Sequence, residues 1–129
     1  MANKTEFHKS EELEEKLQQF GEKIIRLVKK APKNTITIPI IDQLIKSGTS
    51  IGANYMEANG ASSKKDFRNK IHICKKEAKE TMYWLRMLSK AYEKAAEQCR
   101  ELWQEAKGYA KLFSRITGTL NRKNRKNKK

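Results

Sequence analysis

Two prolines, six glycines and two cysteines are all that 129 residues contain of the types that most constrain a backbone. A β-sandwich or barrel needs turn signals at short intervals, and so few prolines and glycines do not supply them. Cys74 and Cys99 make neither a disulfide framework nor the paired spacing of a zinc site. No glycine-rich loop is present to cradle phosphates. The opening "MANKTEFHKSEELEE" lacks the apolar centre of a signal peptide, and no run approaches membrane-spanning length. These absences lead to an expectation of a cytoplasmic protein with reduced, packed thiols, no metal or cofactor, and no membrane.

Catalytic groupings are also missing. Ser50, Asn54 and Glu57 have no histidine near them in sequence. His72 and Cys74, two apart on a helix, point to different faces and do not chelate as an i, i+4 pair would. Glu77 and Glu80 offer an acid and a base in principle, but a structural or solvated role fits them better. The expectation is a protein that is not an enzyme.

What is present is charge and helical periodicity. The chain is 34% charged and 37% hydrophobic, with a formal net charge of +14. Six of those charges fall in the last nine residues, "NRKNRKNKK", leaving +8 on residues 1–120. Such an excess predicts attraction to polyanions and says nothing about fold. From Ser10, a candidate N-cap, Leu13, Leu17, Phe20, Ile24 and Leu27 form one apolar seam. "APKNT" breaks that helix. A second starts near Thr37 with Pro39 in its first turn and buries Ile40, Leu44, Gly48, Ile51, Tyr55 and Ala58. After "NGASS", Ser63 and Asp66 form a capping box for a third, whose core face reads Phe67, Ile71, Cys74, Ala78, Thr81, Leu85, Leu88 and Tyr92. Leu102, Ala106, Tyr109, Phe113, Ile116 and Leu120 mark a fourth.

Nothing between the third and fourth segments breaks a helix, yet one helix from Ser63 to Leu120 would be roughly 85 Å long at about 1.5 Å per residue. A turn within residues 91–96 lets short antiparallel helices share one core. The expected fold is therefore all-α, an antiparallel up-down four-helix bundle over residues 1–120, with residues 121–129 a disordered basic tail.

The second segment has an unusual composition. Gln43, Ser47, Ser50, Asn54 and Glu57 form a second, polar stripe, and Gly48 and Gly52 each cost about 1 kcal/mol relative to alanine in a helix interior. A solvated polar face is one reading; close packing from several directions, including a subunit interface, is the other. On the third helix Ile73, Trp84 and Met87 lie roughly opposite the core face and suggest a contact surface for self-association. Beside that core face Lys64, Arg68, His72, Lys75, Lys79, Arg86 and Lys90 fall within an arc of roughly 80° that contains no acid. A soluble face that happens to be positive is the plain reading. A one-sign stripe together with a basic tail is also the footprint of phosphate contacts.

"QLIKSGTSIGANYMEANG" and "DFRNKIHICKKEAKETMYWLRML" together resemble the two signatures of the bacterial four-helix-bundle proteins encoded in intervening sequences of 23S ribosomal RNA genes. The resemblance carries Lys46, Ser47, Ser50, Asn54 and Glu57 onto the first signature, and Lys76, Glu77, Glu80, Thr81 and Trp84 onto the second. It departs at Ala58, where the family commonly has glycine, and in the strongly basic tail. It implies a homopentameric barrel, and a distant branch is the accessory protein of diversity-generating retroelements, which binds nucleic acid and a reverse transcriptase. Antiparallel helices would bring Asn54 and Glu57 near Glu77 or Lys76 in a hydrogen-bonded polar layer.

Two functions follow as expectations. The first is a non-catalytic oligomer that contacts RNA or DNA phosphates, with low sequence specificity, through Lys64, Arg68, Lys75, Lys79, Arg86 and Lys90 and through the tail residues Arg122, Lys123, Arg125 and Lys126. Ser47, Ser50, Gly52, Asn54, Glu57, Glu77, Glu80, Trp84 and Met87 are then structural or interface residues. The second is an adaptor that docks a protein or a ribonucleoprotein enzyme such as a reverse transcriptase. Anionic membranes are a weaker third partner, because no apolar anchor adjoins the tail.

Overall fold

In a computed structural model the chain is described from residue 4 to residue 127. Four helices account for almost all of it: α1 (Lys4–Lys30), α2 (Thr37–Asn59), α3 (Lys64–Ala91) and α4 (Ala96–Asn127), with one 3₁₀ turn, Glu93–Ala95, before the last. No strand occurs among the described residues. The helices form a four-helix bundle around a single core.

That core is built from the apolar seams read in the sequence. Leu17, Phe20, Ile24 and Leu27 of α1 are buried with Leu44 and Ile51 of α2, Ile71, Leu85 and Leu88 of α3, and Phe113 of α4. Each such side chain stabilises the fold by about 1.5–3 kcal/mol relative to exposure. Phe20 meets Tyr109 edge to face with ring centroids 5.5 Å apart, and Tyr55 tilts against Phe113 at 6.0 Å. These aromatic contacts tie α1 and α2 to α4.

Short-range chemistry sets the helix ends. Asn34 Oδ1 accepts from the Ile36 and Thr37 amides at 3.0 Å each, supplying the N-terminal cap of α2 that Ile36 has no side-chain oxygen to give. Lys33 Nζ donates to the Val28 and Ala31 carbonyls, capping the end of α1. Ser63 Oγ accepts from the Asp66 amide at 3.0 Å, as a capping serine should. The chain turns at Tyr92 and Glu93–Ala95, inside the expected window. No breaker residue forces this turn. This turn is what lets Leu88 of α3 and Leu102 of α4 enter the same core.

Two expected ends are wrong. Ser10 does not cap α1, which begins upstream at Lys4; no residue between Lys4 and Lys9 interrupts a helix, and the Ser10 hydroxyl lies 3.2 Å from Tyr55 Oη instead. Nor is the basic segment after Leu120 without structure. α4 continues to Asn127, since lysine and arginine are good helix formers and positive charge favours the negative end of the helix dipole. Lys128 and Lys129 lie outside the described residues.

The odd composition of α2 has a packing explanation. A Cβ on Gly48 would stand 2.9 Å from Ile24 Cγ1, and one on Gly52 would touch the Leu17 backbone at 3.4 Å. The glycines let α1 lie directly against α2. Hydroxyls along the same helix bond to its own carbonyls: Ser47 to Leu44, Thr49 to Ile45, and Ser50 to Lys46. They therefore enter a packed seam without leaving a buried donor unpaired.

Candidate nucleic-acid interface

The α3 stripe is accessible along its length. Lys64, His72, Lys79, Arg86 and Lys90 are exposed, and Arg68 and Lys75 are half-buried. Among the described residues the ion pairs are Lys23–Glu105 at 3.1 Å and Lys70–Glu57 at 3.0 Å. Every basic residue of the stripe is left without an acidic partner there.

The fold adds a second row that sequence reading missed. Arg100, Lys107, Lys111 and Arg115 of α4 face the α3 stripe across the seam between the two helices. One groove there, about 410 Å³, is lined by Leu85, Arg86 and Ser89 from α3 and by Ala96, Cys99, Arg100, Trp103 and Gln104 from α4. The next, about 630 Å³, has Lys79 and Met82 on one wall and Lys107, Ala110, Lys111, Ser114 and Arg115 on the other. No acid lines either one. Arg122 lies seven residues beyond Arg115 and Arg125 three further, so both continue the α4 face. Arg122, Lys123, Arg125 and Lys126 are all exposed on the last turns of α4.

The acids of α4 lie elsewhere. Glu105 is held by Lys23 of α1 and accepts a hydrogen bond from Tyr109 Oη at 2.5 Å. Glu97 and Glu101 border a separate depression with Lys30, Tyr92 and Lys94. Glu105 thus turns toward α1, while Arg100, Lys107, Lys111 and Arg115 line the α3 side. In sequence order the two signs alternate, which is why the second row was not legible.

The expected polar layer between α2 and α3 does not form. Asn54 Nδ2 donates to the Ser50 carbonyl at 2.8 Å, and Glu57 pairs with Lys70 rather than Lys76. The shorter reach wins: a carbonyl one turn back and a lysine nearer the end of the seam satisfy both groups. Burial raises the Glu77 carboxyl pKa, helped by the neighbouring Glu80 and opposed by Lys76. Trp84 is half-buried against the core edge and meets Tyr83 edge to face, centroids 4.8 Å apart. Met87 is half-buried and Ile73 exposed.

Both cysteines are buried in the bundle. Burial pushes the Cys74 thiol up to about 12 and the Cys99 thiol to about 11, so neither ionises near neutrality. Cys74 Sγ lies 3.6 Å from the Ile51 carbonyl as a donor in the α2/α3 seam. No cluster of metal-ligating side chains occurs among the described residues, and no described helix is long and apolar enough to cross a membrane.

The model of the 23S rRNA-intervening sequence protein family matches residues 9–115, which span all four helices. The chain belongs to that family. A crystal structure of an S23 ribosomal protein family member of unknown function, from Bacteroides thetaiotaomicron VPI-5482, is similar to it at 34% identity. The likeness covers 85% of this chain and 98% of that one, with a TM-score of 0.76. Comparison with curated proteins gives no match. The family match ends at Arg115, so the basic last turns of α4 lie beyond the part this intervening-sequence protein shares with the family model.

Proposed function

We propose that this intervening-sequence protein is a non-catalytic nucleic-acid-binding protein of the cytoplasm, an antiparallel up-down bundle that works as a homo-oligomer, in the family manner a pentamer. Its phosphate contacts lie along the α3/α4 seam and the basic end of α4. The carrying observation is the seam itself: Lys79 and Arg86 face Arg100, Lys107, Lys111 and Arg115, with no acid among the lining residues. Lysine and arginine on phosphates give affinity that is salt-dependent and weakly sequence-selective. The family's ribosomal RNA setting favours RNA over DNA.

The antiparallel reading is supported by the contacts. Ser10 meets Tyr55 while Ile24 adjoins Gly48, and Glu57 meets Lys70 while Ile51 meets Cys74. In each case the numbers rise on one helix as they fall on the other. Several copies in a ring would multiply a modest contact through avidity. The half-buried Trp84 and Met87 and the exposed Ile73 support a second reading, an adaptor surface for a protein or for a ribonucleoprotein enzyme such as a reverse transcriptase.

Titrating the protein with mixed-sequence RNA and duplex DNA across a salt series, with light scattering on the same sample, separates these readings. Phosphate binding predicts a large oligomer whose affinity falls steeply with salt. Absence of binding at low salt rejects it. Capture of a protein partner that persists at high salt and requires Trp84 supports the adaptor.

A further inference from the structure

The α3/α4 seam has a feature that phosphate contacts alone leave unused: its floor is apolar. Met82 and Ala110 lie between the basic walls of one groove, and Leu85 and Trp103 line the next. Trp103 is half-buried, and Lys107 Nζ stands over its ring, 5.3 Å from the centroid, so a base that stacks on that face displaces the ammonium toward the strand's phosphates. From Arg100 to Arg115 the track runs about 22 Å at about 1.5 Å per residue.

We infer that the ligand of this seam is single-stranded nucleic acid, with bases laid on the Met82–Trp103 floor and phosphates on the flanking lysines and arginines. This rests on the phosphate-binding reading and narrows it. A duplex offers phosphates to a basic surface but keeps its base faces stacked inside, so it makes no use of an apolar floor. A single strand offers both, and the pairing of a basic track with an aromatic platform is what non-sequence-specific single-strand binding requires. Trp103 is the stacking residue, and Lys79, Lys107 and Arg115 hold the backbone. The same-sign walls disfavour a second copy of this face as the occupant. They equally disfavour any partner that is not acidic.

The test compares a fluorescently labelled oligo-uridine single strand with an RNA duplex of equal length, on the full chain and on Trp103→Leu and Trp103→Phe. The single strand should bind more tightly than the duplex. Trp103→Leu should weaken single-strand binding by roughly 5- to 150-fold, the range of one lost base–aromatic stack, while leaving duplex binding unchanged. Trp103→Phe should restore most of the loss. Should Trp103→Leu not fold, Trp84→Phe leaves Trp103 as the lone indole, and its fluorescence should be quenched by the single strand and not by the duplex. Equal binding of both nucleic acids, with Trp103→Leu silent, overturns the inference and leaves the phosphate reading standing. No binding of either overturns both. Loss of oligomer mass in Trp103→Phe assigns the seam to a contact between copies and also overturns it.

Discussion

The α1/α2 seam and the α3/α4 seam solve opposite problems. In the first, Gly48 makes room for the Ile24 side chain and Gly52 lets the Leu17 backbone come close. In the second, Lys79, Arg86, Lys107 and Lys111 stand along the outer edge and leave grooves of about 410 and 630 Å³ between the helices. The closed seam loses helix propensity to gain contact. The open seam keeps strong helix formers and holds like charges together, which opposes folding slightly. One seam explains how the chain packs; the other carries the proposed binding surface.

Breaking the closed seam should have the largest effect. Gly52→Leu places a branched side chain against the Leu17 backbone, which cannot yield as a side-chain tip can; we expect loss of the cooperative thermal transition or a fall of several degrees in melting temperature. Gly48→Ala should be milder, a net destabilisation of about 1–2 kcal/mol as overpacking against Ile24 exceeds the helix-propensity gain, read by urea unfolding. The contrast is sharpest with Gly108→Ala on α4. Gly108 is exposed, and an added methyl group would meet no atom within 4 Å, so the substitution should stabilise by about 0.5–1 kcal/mol.

Charge reversal probes the open seam. The triple variant Lys79→Glu, Lys107→Glu, Arg115→Glu should keep its circular dichroism and oligomer mass while its RNA affinity collapses. The slope of log affinity against log salt should shallow by roughly 0.7–0.9 for each phosphate contact removed. The same three changes made at Lys29, Lys30 and Lys94, outside the seam, should leave most of the affinity intact.

The smallest expected effect is electrostatic and lies on α3. The Glu77 pKa is raised in the fold, so the folded state holds that proton more tightly than the unfolded chain does. Its contribution is present below the ordinary carboxylate range and is lost as pH rises through the raised value. Glu77→Gln should therefore raise the melting temperature slightly at neutral pH, and the gain should vanish in acid.

The sequence carried the closed seam almost whole. Apolar residues at helical spacing name the core, and Gly48 and Gly52 amid large neighbours announce a close approach before any coordinates do. The turn near Tyr92 was legible only from length, because no residue there breaks a helix and the cause is tertiary. The open seam was half legible. The α3 row shows as a one-sign arc, whereas on α4 Glu97, Glu101 and Glu105 interleave with Arg100, Lys107 and Lys111 and hide the pattern. Only the bundle shows that Glu105 turns to Lys23 while Lys107 turns to the groove. The start of α1 was misread because Ser10 has the chemistry of a cap, and its role across to Tyr55 depends on a helix 45 residues away.

Lysine acetylation footprinting by mass spectrometry, with and without a bound RNA single strand, tests the central claim most directly. The account predicts protection at Lys79, Lys107 and Lys111 and unchanged reactivity at Lys29, Lys30 and Lys94. Protection centred on the second group, or spread evenly over all the lysines, would contradict it.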